Sequence, residues 1–73
     1  MVEKRYLGYM ALSRGGGYSG LIWGGYNVPV RDRDDAIAKA QELRVKFPKH
    51  VKDFIYIETD ELWVNTKKEI LMI

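Results

Sequence analysis

One segment of this 73-residue chain has helical periodicity, and it lies in the middle of the sequence. The apolar residues that recur there at helical spacing are Ala36, Ala40, Leu43 and Phe47. Asp32 or Asp34 can cap the start, and Pro48 ends the helix because the residue before a proline avoids helical conformation. The sequence predicts one helix over residues 33–47, and a single apolar stripe covers only one face of a sheet.

The segment before the helix predicts a β-hairpin over residues 3–28. Glu3–Ser13 and Ser19–Val28 are rich in the aliphatic and aromatic residues that favour strands. The glycine run between them tolerates positive φ, as hairpin connections require. Gly24 and Gly25, inside the second strand, indicate a bulge or a close approach by another backbone.

The segment after the helix returns to strand. Residues 54–57 alternate, with Ile55 and Ile57 on one face and Phe54 and Tyr56 on the other. "TDEL" predicts a turn into "LWVNT", and "NTKK" predicts a second turn into "EILMI". The order is therefore β-β-α-β-β, with a fifth strand as an alternative. We expect one α+β domain over residues 1–73, a small antiparallel sheet of four or five strands with one helix packed on one face.

An aromatic surplus is the main functional clue. The sheet face away from the helix is expected to carry about half of Tyr6, Tyr9, Trp23, Tyr26, Tyr56 and Trp63. Three uses remain open for these rings: completing a small core, forming a protein interface, or stacking on nucleic-acid bases.

Composition argues against catalysis. The chain has no cysteine and one histidine, His50, which leaves no thiolate, no multi-histidine metal site and little room for a triad. Asp32, Asp34 and Asp35 are interpreted as helix-capping residues, and the acids at 58–61 as part of a turn. We therefore expect no enzyme, no metal, no cofactor and no small-molecule substrate.

"GGGYSGLI", residues 15–22, has the spacing of a phosphate-binding glycine loop. It resembles the glycine-rich loop of protein kinases, but the lysine, H-R-D and D-F-G motifs of that family are missing. A dinucleotide site needs a helix directly after the glycines, and a strand is predicted here. The run is interpreted as the tip of the hairpin.

The first functional hypothesis is a non-catalytic protein-interaction module. Such a chain would act as a small regulator or inhibitor, of the kind carried by phages and other mobile elements, by binding a partner protein or a copy of itself as a homodimer. The residues assigned to partner binding are Arg14, Tyr18, Trp23, Tyr26, Arg31 and Trp63. No apolar run has membrane-spanning length, so a cytoplasmic location with no membrane partner is expected.

The alternative is a small nucleic-acid-binding domain. The net charge of +2 is mild, but the N-terminal part of the chain is basic. Basic side chains would contact phosphates while aromatic rings stack on bases. The residues assigned to this alternative are Arg5, Arg14, Tyr18, Trp23, Arg31, Lys67 and Lys68. It predicts binding that weakens steeply as salt rises.

Overall fold

The computed structural model describes residues 2–14 and 21–73, with the backbone alone described at residues 13, 14 and 21–23. The elements in chain order are β1 (Lys4–Arg14), β2 (Leu21–Pro29), α1 (Arg33–Lys46), β3 (Val51–Thr59) and β4 (Lys67–Leu71). The four strands form one antiparallel sheet in the order β2-β1-β3-β4. The predicted α+β fold, with β-β-α-β-β order and one helix against a sheet, is confirmed.

Helix α1 begins as its capping chemistry predicts. The side chain of Asp32 accepts a hydrogen bond from the backbone N–H of Asp35 at 2.8 Å, which satisfies one of the free donors of the first turn. At the other end, the N–H of Phe47 donates to the carbonyl of Leu43 at 2.8 Å. In the described part of the chain, no helix is long and apolar enough to cross a membrane.

The core lies between α1 and one face of the sheet. The helix packs mainly against the two central strands, β1 and β3. Ala36 and Ala40 face the sheet, and their small side chains allow the helix to approach closely. The buried cluster consists of Leu7, Ala36, Ala40, Val51, Phe54, Tyr56 and Leu71.

A bulge in β3 increases the share of that strand that faces the helix. Tyr9 pairs with Phe54 and Ala11 with Val51, so two residues of β3 lie opposite the single residue between Tyr9 and Ala11. Three positions apart, Val51 and Phe54 would face opposite sides of a regular strand, and the extra residue turns both towards the core. The bulge predicted at Gly24 and Gly25 is wrong, because the pairing of β1 with β2 continues unbroken through both.

The segment "LWVNT", residues 62–66, was expected to be extended and is instead part of a loop between β3 and β4. The carboxylate of Asp60 bonds the backbone N–H groups of Val64 and Asn65, which curls the chain and removes those donors from any strand pairing. The described residues contain four strands and no fifth. The predicted hairpin tip at residues 15–20 lies outside the described residues.

Candidate functional site: the open face and the β3–β4 loop

The sheet face opposite α1 has no second layer among the described residues, and we refer to it as the open face. Side chains alternate along a strand, so the residues between those of the core point to it. Its members include Lys4, Tyr6, Gly8, Met10, Gly25, Asn27, Pro29, Ile55, Ile57, Thr59, Lys68 and Ile70. Met10 is 42% exposed and Ile70 is 63% exposed, so apolar side chains meet solvent at both sides of this face.

A groove crosses the middle of the open face, where two glycines have no side chains to fill the space. Gly8 and Gly25 lie on adjacent strands, and with their neighbours they bound a shallow groove of about 460 Å³. A Cβ atom at Gly8 would lie 3.0 Å from Asn27 Oδ1 and 3.1 Å from Ile57 Cδ1, which is too close for comfortable packing. Because Gly8 has no side chain, the side chains of Asn27 and Ile57 can occupy the space above its backbone. Lys68 and Asp53 carry opposite charges at the rim.

The β3–β4 loop, residues 60–66, has a fixed conformation. Asp60 Oδ1 accepts the N–H of Val64 at 2.8 Å, and Oδ2 accepts the backbone N–H and side-chain amide of Asn65 at 3.1 and 3.0 Å. The carbonyl of Asp60 also accepts the N–H of Trp63 at 3.2 Å. The hydrogen bond from Val64 and those from Asn65 lower the pKa of Asp60 below its usual range. One carboxylate thus holds the loop in shape while it is ionised.

Trp63 closes one end of the open face. Its backbone lies in the left-handed region, at φ 59°, where side chains other than glycine, asparagine and aspartate are strained. Its ring stacks on Tyr6, with centroids 5.0 Å apart and planes at 25°. The hydroxyls of Thr59 and Thr66 hydrogen-bond at 2.8 Å, and the Thr66 hydroxyl also lies 3.1 Å from the carbonyl oxygen of Trp63, to which it donates. At this end Ile57 is only 5% exposed, although it belongs to the open face.

The residues on either side of Trp63 point away from the protein. Leu62 is 82% exposed and Val64 is 74% exposed, so three consecutive apolar residues stand at the tip of a hydrogen-bonded loop. A solvent-exposed loop is ordinarily polar, and left-handed backbone at a bulky residue costs about 1 kcal/mol or more. Trp63 joins this apolar tip to the open face through its stack on Tyr6.

Charged side chains on the helix side are engaged with one another. Arg33 and Glu69 form a bidentate pair with a shortest N–O distance of 2.7 Å, and Arg33 lowers the pKa of Glu69. Burial, followed by a hydrogen bond to Glu58, raises the pKa of Tyr56, whose hydroxyl donates to that carboxylate at 2.9 Å. The Arg33–Glu69 pair ties β4 to the helix start, whereas the Tyr56–Glu58 hydrogen bond lies within β3.

The predicted partner-binding residues do not share one surface. Trp63 lies over the open face, whereas Tyr26 lies on the helix side, stacked on Tyr9 with ring centroids 5.4 Å apart. Arg31 precedes the helix, where its N–H donates to Asp35 at 3.0 Å. Tyr18, with the side chains of Arg14 and Trp23, lies outside the described residues.

The basic residues assigned to nucleic acid are likewise dispersed. Arg5 and Lys67 flank Glu58 on the helix side of the sheet, and the Arg5 Nε lies 4.0 Å from the Glu58 carboxylate. Lys68 lies on the open face, and the guanidinium of Arg31 lies 3.9 Å from Asp35. The described members of this set therefore face different directions.

Among the exposed apolar residues of the open face and the β3–β4 loop, only Trp63 was assigned to partner binding from the sequence. The missed residues of the site are Met10, Ile55, Leu62, Val64 and Ile70. The signal for Met10 and Ile55 was the alternation of both strands, and the signal for Leu62 and Val64 was an apolar triplet directly after Asp60 and Glu61. In the described segments, no group of three potential ligands could hold a metal ion.

No protein-family model matches this chain, and neither the curated proteins nor the solved structures give a significant match.

Proposed function

We propose that this protein is a non-catalytic interaction module that binds a partner protein through the open face and the β3–β4 loop. The observation that carries the proposal is the loop tip. Leu62, Trp63 and Val64 are displayed in a conformation that Asp60 holds in place despite an unfavourable backbone angle at Trp63. A loop whose backbone is already held by hydrogen bonds loses little conformational freedom on binding, which favours its use as a binding surface.

A protein surface is the occupant that the chemistry favours. Tryptophan and methionine are enriched at protein interfaces, and here Trp63 and Met10 lie on the same side of the sheet. Asp60 and Glu61 adjoin the loop tip, and their negative charge disfavours both phosphate backbones and anionic lipid at that end. The groove beside the loop, with opposite charges at its rim, suits a side chain or short segment of a partner. A role as a small regulator or inhibitor is consistent with the size.

The proposal is tested by affinity capture with matched variants. Leu62→Ser removes an exposed apolar anchor, and Val45→Ser removes an equally exposed one, 82%, from the outer surface of α1. Proteins captured from a lysate of the source cells by the wild type are identified, purified and titrated against all three chains. We expect at least tenfold weaker binding for Leu62→Ser and unchanged binding for Val45→Ser, with folded circular-dichroism spectra throughout.

Two results would overturn this assignment. A partner that binds Leu62→Ser and the wild type equally would place the interface elsewhere. Capture of nucleic acid instead of protein, lost as salt rises, would favour the alternative of a nucleic-acid-binding domain.

A further inference from the structure

The two edge strands of the sheet differ in how well they are protected against pairing with a strand of another chain. Edge strands expose unpaired N–H and C=O groups, and proteins guard them with charges, prolines or short length. At one edge, β4 has five residues, of which Lys67, Lys68 and Glu69 are charged. At the other, β2 has nine residues with no charge and a proline only at its last position, Pro29. Strand β2 has the features of an edge that pairs.

The helix also leaves β2 uncovered. Because α1 packs against β1 and β3, the strand projects beyond it, and Tyr26 is partly exposed on the helix side. An open cleft of about 280 Å³ lies between α1 and β2, bounded by Val28, Leu43 and their neighbours. A strand paired with β2 would therefore satisfy the free backbone N–H and C=O groups of β2. Its side chains would also fill the space between β2 and α1.

We propose that β2 pairs antiparallel with β2 of a second copy of this chain, which joins two four-stranded sheets into one of eight strands. An uncharged strand meets its own copy without like-charge pairs in any register, which the charged strand β4 could not do as freely. Nine residues extend over about 30 Å and form about nine interchain hydrogen bonds. A chain of 73 residues without disulfides gains stability from such pairing.

If a two-fold axis relates the two copies of β2, the pairing centred on the middle residue of the strand is the register to test first. Gly25 is the central residue of β2, so pairing about it places Gly25 opposite Gly25 of the second copy and Tyr26 opposite Gly24 of the second copy. The Tyr26 ring of each chain already lies over its own Gly24, 3.5–3.7 Å from where a Cβ would stand, so the glycine adds no second bulky side chain to this cross-chain pair. The two helices then lie on one side of the joined sheet, and the two open faces form one continuous surface on the other. The contact uses the backbone edge of β2, whereas the proposed partner contacts the side chains of the open face and the β3–β4 loop.

Sedimentation velocity on three chains tests the proposal. We expect the wild type to have twice the chain mass of 8.5 kDa at about 100 µM. Gly25→Lys places two ammonium groups at the symmetry axis and should have the mass of one chain. Ile70→Lys places the same charge on the opposite edge strand and should retain the doubled mass. A wild type of single mass, or a doubled mass that Ile70→Lys abolishes and Gly25→Lys does not, overturns the proposal.

A cross-linking variant tests the same contact without relying on a disruptive charge. The chain has no cysteine, so Gly25→Cys introduces the sole thiol. Residues directly opposite on antiparallel strands have Cα atoms about 4.5–5.5 Å apart, within the range a disulfide spans. Mild oxidation should convert most of Gly25→Cys to a covalent dimer, while Ile70→Cys stays largely monomeric. Equal, slow cross-linking of both variants contradicts pairing at β2.

Discussion

The two faces of the sheet have similar apolar side chains and opposite surroundings. In β1, Leu7 faces the helix and is fully buried, whereas Met10, on the other face, is substantially exposed. In β3, Phe54 faces the core while Ile55 lies on the open face. Residue type alone does not separate these positions. What separates them is α1, which covers one face, whereas no helix or strand in the described part of the chain covers the other.

The open face is itself divided along the strands. Near the β3–β4 loop, Ile57 and Thr59 are buried, Trp63 stacks on Tyr6, and Thr59 hydrogen-bonds Thr66. Away from the loop, Met10 and Ile70 are exposed. The loop thus contacts one end of the open face, and the loop tip together with the exposed remainder of that face is the surface proposed to bind a partner.

The largest predicted difference in stability between the two faces is found for two substitutions in β1. Leu7→Ala should lower the free energy of unfolding by about 3 kcal/mol, because it removes a fully buried side chain and leaves a cavity in the core. Met10→Ala, on the open face of the same strand, should cost less than about 1 kcal/mol. Urea denaturation monitored by circular dichroism measures both. Equal losses would mean that the open face is packed as tightly as the helix side.

A second prediction compares two glycines on the open face. Gly8→Ala should destabilise by about 1–2 kcal/mol, since its Cβ would crowd Asn27 and Ile57. Gly25→Ala should be neutral or slightly stabilising, because its Cβ would meet only Met10 Sδ at 3.6 Å, an ordinary contact. Thermal unfolding of the two variants should separate them by several degrees, with Gly8→Ala the lower. Coincident midpoints would contradict close packing at Gly8.

The helix that creates the difference between the faces depends on its cap. Asp32→Ala should cost about 1 kcal/mol, because it leaves the N–H of Asp35 without its side-chain acceptor. Asp34→Ala, in the same first turn, should cost less than about half of that, since it affects the helix dipole alone. Denaturant midpoints of the two variants check this order, and a reversed order would refute the assignment of Asp32 as the cap.

The smallest effect is local and depends on pH. Because hydrogen bonds lower the pKa of Asp60 in the folded protein, their contribution is complete above the unfolded pKa and is lost as pH falls through the folded value. Acidification should therefore release the β3–β4 loop and separate the Trp63 ring from Tyr6. The indole N–H signal of Trp63, assigned with Trp63→Phe, should move towards its unfolded position below about pH 4. In Asp60→Asn the signal should be insensitive to pH over that range.

Much of the fold could be predicted because local patterns agreed with one another. The helix had a stripe, a cap at Asp32 and a stop at Pro48, and β3 alternated from Phe54 to Ile57. The strand order β2-β1-β3-β4 could not be predicted, since pairing of β1 with β3 is a long-range contact with no local signal. The bulge in β3 had no glycine to indicate it.

The candidate site was harder to predict than the fold. "LWVNT" has strand-like composition, and only the side chain of Asp60, acting four and five residues away, converts it to a loop. The prediction weighted aromatic residues and therefore grouped Tyr26 with Trp63, which lie on opposite faces of the sheet. Met10 and Ile70 are exposed because they lie on the sheet face opposite α1. No local sequence pattern indicates which of the two faces the helix will cover.

The central claim is that a partner protein binds the open face, and methyl NMR tests it most directly. With methyl-labelled isoleucine and methionine, Met10, Ile55 and Ile70 report on the open face, and Ile37 reports on the helix side. Addition of the captured, purified partner should shift or broaden the open-face methyls and leave Ile37 unchanged. Perturbation confined to Ile37, with the open-face methyls unaffected, would contradict the proposed function.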